Sequence, residues 1–104
     1  MINITKNITD IENIHTYFEF CEHDGWDEFD SLLSIFTNAM SCHVLEKLDG
    51  IYSRHCTLKK DEFVFKLIYH EDFGNCLCSQ DKKDDNYYNT LEKLAKEAAF
   101  RLTK

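Results

Sequence analysis

The chain has 104 residues, 43% of them hydrophobic, with eight Phe, five Tyr, three glycines and no proline. This composition predicts one folded domain spanning residues 1–104, and argues against disorder, a linker or a second domain. The formal net charge of −7 is uneven: residues 1–50 carry two cations against ten anions, residues 51–104 ten against nine. Such an acidic field repels phosphates and so argues against a nucleic-acid partner. No stretch approaches the roughly 20 apolar residues of a membrane span.

The N-terminal MINITKNITD lacks the continuous apolar run of a signal peptide. The five cysteines (Cys21, Cys42, Cys56, Cys76, Cys78) are odd in number and without framework spacing, which predicts reduced thiols and a cytoplasmic location. Two Asn-x-Thr sites, at Asn3 and Asn7, carry no meaning without secretion.

Thr9-Asp10-Ile11-Glu12 reads as a capping box, and Ile11, Ile14, Phe18 and Cys21 recur at helical spacing, predicting a first helix from there to His23; Phe18 and Phe20 also permit a strand over its last part. Gly25 is its expected stop. Asp27 and Glu28 then suit a first helical turn, and Phe29, Leu32, Leu33, Phe36, Ala39 and Met40 form the apolar stripe of a second helix ending near Ser41. Residues 2–6 are either frayed or an extra edge strand.

Beyond Cys42 the pattern changes. Asp49-Gly50 between His43–Leu48 and Ile51–Leu58 predicts a hairpin closed by a type I′ turn, with Leu48 facing Ile51 and Val44 facing His55. Lys59-Lys60-Asp61 is a second turn, and Glu62 to His70 alternates as a half-buried strand. After a turn at 71–75, Cys76 to Gln80 fits a fourth strand. Residues 80–86 form a solvated loop in which Asp84 or Asp85 caps a last helix, whose stripe is Tyr88, Leu91, Leu94, Ala95, Ala98 and Leu102. The expected fold is α+β: two N-terminal helices, a four-stranded antiparallel meander and a C-terminal helix.

Few residues suggest chemistry. Cys76-x-Cys78, with His70 and Cys42-His43, raises zinc, but structural zinc cysteines are usually spaced by two to four residues; two small core residues are the commoner meaning, and no metal is expected. His55 and Cys56 are neighbours on a strand and point to opposite faces, so they cannot act as base and nucleophile. No HExxH, GxSxG or phosphate loop occurs, so neither an enzyme nor a cofactor is predicted.

The strongest signal is the interval 7–46, which has nine carboxylates and no lysine or arginine. Most acids at a helix start serve capping and solubility. The absence of interspersed cations, with Trp26 and Phe29 in the middle, instead suggests an interface hot spot inside a charged rim; Trp26 as a packing staple is the alternative. The expected partner-binding residues are Glu19, Glu22, Asp24, Trp26, Asp27, Glu28 and Asp30.

In size, acidity, α+β order and the run Glu19-Phe20-Cys21-Glu22-His23-Asp24-Gly25-Trp26-Asp27-Glu28-Phe29-Asp30, the chain resembles the small cytosolic immunity proteins of bacterial toxin systems, including those of contact-dependent growth inhibition. The resemblance implies an antitoxin-like inhibitor in a tight one-to-one complex with a cognate basic toxin domain, often a nuclease, whose active site or substrate access it blocks. Such a protein is a monomer or weak dimer when free. The alternatives are a module that self-associates through an edge of its meander, and a small enzyme using Cys and His groups of the sheet.

Overall fold

The computed structural model describes residues 4–11, 14–20, 25–72, 74–79 and 83–102. Its sheet has six antiparallel strands: β1 (Ile4–Ile11), β2 (Ile14–Phe20), β3 (His43–Asp49), β4 (Ser53–Lys60), β5 (Phe63–His70) and β6 (Gly74–Cys78), in the order β1-β2-β6-β5-β4-β3. Helix α1 (Trp26–Ser34) continues into a π-helical turn at Ile35–Ala39, and α2 (Asp85–Leu102) ends the described chain. The fold is α+β, with the expected meander in β3 to β6 and a C-terminal helix.

The N-terminal part corrects the expectation. Among the described residues strands stand where the sequence predicts the first helix: residues 9–11 belong to β1 and 14–20 to β2, while residues 12–13 and 21–23 lie outside the described residues. The described sheet thus has six strands rather than four, and α1 is the single helix described before the meander. The cause is visible in β2, where Phe18 and Phe20 are fully buried in the core while Tyr17 and Glu19 are half-buried on the other face. That period of two is a strand's, and β2 realises it by pairing with β1 and, at Tyr17 to Glu19, with β6. Thr9, Asp10 and Ile11 belong to β1 rather than to a capping box.

The β3–β4 hairpin also differs. Leu48 lies opposite His55 and Val44 opposite Leu58, with a bulge between Val44 and Glu46. The Gly50 N–H donates to the Ser53 carbonyl at 2.7 Å, so the loop is Ile51-Tyr52, two residues beyond Asp49-Gly50. Among the described residues only Ser41, Asp61 and Gly74 have positive φ, so Gly50 does not make the I′ turn.

Both helices pack on one face of the sheet. Phe29, Leu32 and Phe36 of α1 and its π turn, and Leu91, Ala95 and Ala98 of α2, bury against Phe18, Phe20, Leu58, Phe65, Leu67 and Leu77. In the π turn the Met40 N–H bonds to the Ile35 carbonyl at 3.0 Å, and the Lys60 ammonium donates to the Met40 carbonyl at 2.6 Å. The start of α2 is capped by Asp84, whose Oδ1 accepts from the Tyr87 N–H at 2.9 Å, as the sequence suggested. The opposite face has a smaller buried cluster of Ile68, Cys76 and Cys78 with Tyr17 against it.

Candidate functional site

Helix α1 begins at Gly25, which is its N-cap rather than the stop of a preceding helix. The Glu28 carboxylate reaches back to the Gly25 N–H at 3.4 Å, and the Asn75 side-chain amide of β6 donates to the Gly25 carbonyl at 3.0 Å. The first turn of α1 is therefore tied to the sheet. It presents Asp27 and Asp30 at the surface, and Trp26 with 39% of its area exposed.

Beneath these carboxylates lies Arg54 of β4, only 5% exposed. It keeps phase with the buried Cys56 and Leu58 and so points toward the helices. Its guanidinium bonds both oxygens of Asp30 at 2.8 Å, Asp49 Oδ1 at 3.2 Å and the Trp26 carbonyl at 3.2 Å. Its carbon sits 5.0 Å from the Trp26 ring centre and 4.5 Å from that of Phe29. The planar fork thus meets carboxylate in its bidentate geometry while stacking on aromatic rings, which a lysine could not reproduce. Trp26 is also held edge-on by Tyr69, with ring centres 5.5 Å apart.

The electrostatics follow from these contacts. The hydrogen bonds from Arg54 hold the Asp30 carboxyl below its ordinary range, against a smaller opposing effect of desolvation. Asp30 in turn raises the guanidinium's proton affinity, so Arg54 is a permanent cation inside the acidic run. The run is cation-free only along the chain.

The expected binding residues fare differently. Trp26, Asp27, Glu28 and Asp30 share the start of α1, joined by Asp49 through Arg54. Glu19 does not: it lies on β2 opposite Cys76, on the face away from the helices. Glu22 and Asp24 fall outside the described residues. Sequence reasoning missed Arg54, although an arginine in phase with Cys56 and Leu58 was a readable sign of a buried cation needing acids.

The thiol and imidazole groups do not converge. Cys56 is buried in the core while His55 points to the other face, where burial first, and Lys66 and His70 second, favour its neutral form. Cys76 and Cys78 are free thiols buried together on that outer face, and Cys76 is pushed well above the ordinary thiol range, chiefly by its side-chain hydrogen bond with Cys78 and by desolvation. Among the described residues no three His, Cys, Asp or Glu side chains are grouped to hold a metal ion. An open recess of about 440 Å³ between the β4–β5 turn and α2, lined by Lys60, Asp61, Glu62, Phe63, Thr90 and Leu94, includes no thiol or imidazole. Among the described residues no helix is long and apolar enough to cross a membrane. Comparison with protein families, curated proteins and solved structures finds no match to this chain.

Proposed function

We propose that this is a small acidic binding protein that neutralises a basic protein partner, best pictured as an immunity protein covering the active site or substrate-binding surface of a cognate toxin domain, with a nuclease as the leading class. The observation that carries the reading is the half-exposed Trp26, clamped by Arg54 and Tyr69 and bordered by Asp27 and Asp30. A pre-ordered aromatic within a charged rim is the composition of an interface anchor. The cation-rich cleft of a phosphate-processing enzyme complements such a rim, which then speeds encounter while the aromatic slows release.

The test is affinity capture from the native host with this chain as bait, washed at low and high salt, with bound proteins identified by mass spectrometry. The expected result is a basic protein retained one-to-one. Asp27→Lys should slow its association and weaken the salt dependence, and Trp26→Ala should speed its dissociation. Asp27 is the proper site for charge reversal, because Glu28 and Asp30 hold intrachain contacts. Unchanged kinetics in both variants would refute this surface.

A further inference from the structure

Five of the eight large apolar side chains exposed among the described residues share one hairpin: Val44, Leu45 and Leu48 on β3, and Ile51 and Tyr52 at its tip. Ile51 is 84% exposed and Leu48 59%. Strand β3 is an edge of the sheet and is exposed along its whole length. Because Gly50 bonds to Ser53, the alternation of an antiparallel ladder makes Leu48/His55 and Glu46/Thr57 hydrogen-bonded pairs as well. The N–H and C=O groups of Lys47 and Asp49 therefore face outward, away from β4.

We infer that this edge is an interface with a second copy of the chain, joined antiparallel about a two-fold axis that passes beside Leu48 and stands perpendicular to the sheet. With only Lys47 and Asp49 offering outward groups in this stretch, a two-fold ladder has three registers. Lys47 on Lys47, or Asp49 on Asp49, sets like charges face to face, which is unfavourable. The third sets Lys47 against the partner's Asp49, and by symmetry twice: four backbone hydrogen bonds and two opposite-charge pairs. In that register Leu48 meets the partner's Leu48 on the outer face, and Ile51 and Tyr52 lie toward the partner's Leu45 and Val44. Charge and apolar patterns are thus self-complementary in one register, as a two-fold interface demands.

Lysines and bulges usually discourage edge pairing. Here the bulge before Glu46 limits the ladder to a few residues, giving a reversible dimer, and the Lys47 charge is matched by an acid. Asp49 contributes Oδ1 to Arg54 while its side chain stays 44% exposed, leaving Oδ2 for the partner's Lys47. The perpendicular axis keeps both helix layers on the same side of the continued sheet, so the two α1 starts flank one seam.

The test is sedimentation equilibrium of the full chain over a concentration series. The expected mass rises from 12.3 kDa toward twice that value. Leu48→Glu, which places two carboxylates at the axis, should raise the dimer Kd about tenfold or more while far-UV circular dichroism stays that of wild type. Lys47→Glu and Asp49→Lys should each weaken their own homodimer, and mixing the two should restore a heterodimer in which both charge pairs are satisfied. A wild-type chain that stays at 12.3 kDa throughout, or variants that dimerise as wild type, would overturn the inference. Lys47→Glu and Leu48→Glu spare every contact of Arg54, so they decide the matter even if Asp49→Lys fails to fold. The readout needs no toxin, so it stands or falls apart from the proposed function.

Discussion

Asp30 has 57% of its side chain exposed, and replacing so open a carboxylate ordinarily changes stability by no more than about 0.5 kcal/mol. Its partner sets a different expectation. The Arg54 side chain is 6% exposed, so Asp30→Ala leaves a nearly buried guanidinium with Asp49 and one carbonyl for compensation. An under-compensated buried cation costs about 2–3 kcal/mol. Arg54→Met removes the cation itself, lets Asp30 and Asp49 hydrate, and keeps an apolar chain against Trp26 and Phe29, for about 1–2 kcal/mol. The expected order is therefore inverted relative to burial, with the exposed member more costly to delete than the buried one. In the double variant Asp30→Ala/Arg54→Met the loss should not exceed that of Arg54→Met alone. Urea denaturation at a single protein concentration measures all four corners of this cycle. An Asp30→Ala cost below about 0.5 kcal/mol, or additive costs in the double variant, would refute the assignment of Arg54 as a buried charge held by Asp30.

Acid titration gives a second view of the same pair. Because the folded Asp30 carboxyl lies below its unfolded value, its contribution is complete above about pH 4 and fades as pH falls through the folded pKa, so Asp30→Asn should flatten that limb of stability against pH. For His55, burial, Lys66 and His70 disfavour the imidazolium; stability should rise with pH through the window below the unfolded value of about 6.5, and His55→Gln should remove that slope. At the start of α2, Asp84→Ala should cost about 1 kcal/mol in thermal or urea unfolding by freeing the Tyr87 N–H. Asp61 stands at φ 54° in the β4–β5 turn, so Asp61→Val should cost about 1–2 kcal/mol while Asp61→Gly is tolerated; equal losses would exclude backbone strain as the cause.

How far the fold was legible depended on whether its signals were local. Strands β3 to β6 and both helices were readable because alternation in 63–70, the stripe from Phe29 to Met40 and the cap at Asp84 are properties of short segments. The first two strands were legible only as alternatives, an edge strand or a frayed end over residues 2–6 and a strand or a helix end over Phe18 and Phe20. Ile11, Ile14 and Phe18 satisfy a helical spacing nearly as well as Phe18 and Phe20 satisfy a strand's, and what settles the matter is pairing of β2 with β6, some sixty residues later. The hairpin turn failed for a related reason. Asp49-Gly50 favours I′ locally, yet in the fold Asp49 continues β3 opposite Arg54 and accepts a hydrogen bond from its guanidinium, a cross-strand side-chain contact that no local turn signal carries, and the loop falls at Ile51-Tyr52.

The candidate site shows the same limit for charge. Counting acids along residues 7–46 treats the chain as a line, whereas the fold sends Glu19 to the far face and inserts Arg54 among the remaining carboxylates. That insertion weakens the field argument at Asp30, since one guanidinium offsets it at contact distance, but it strengthens the case for an anchor. A surface Trp normally loses side-chain freedom when it binds, at about 0.5–1.5 kcal/mol. Here Arg54 and Tyr69 restrict Trp26 in advance, and Glu28 and Asn75 fix the backbone on which it stands. Under the proposed function the recognition element would therefore be less an acidic cloud than a braced aromatic with Asp27 as its freest charge, and roles should divide accordingly: salt-dependent association through Asp27, residence time through Trp26. If two chains join through β3, two such anchors face the same side, and a partner surface with two basic clefts would be held with an avidity that Lys47→Glu removes without touching either anchor.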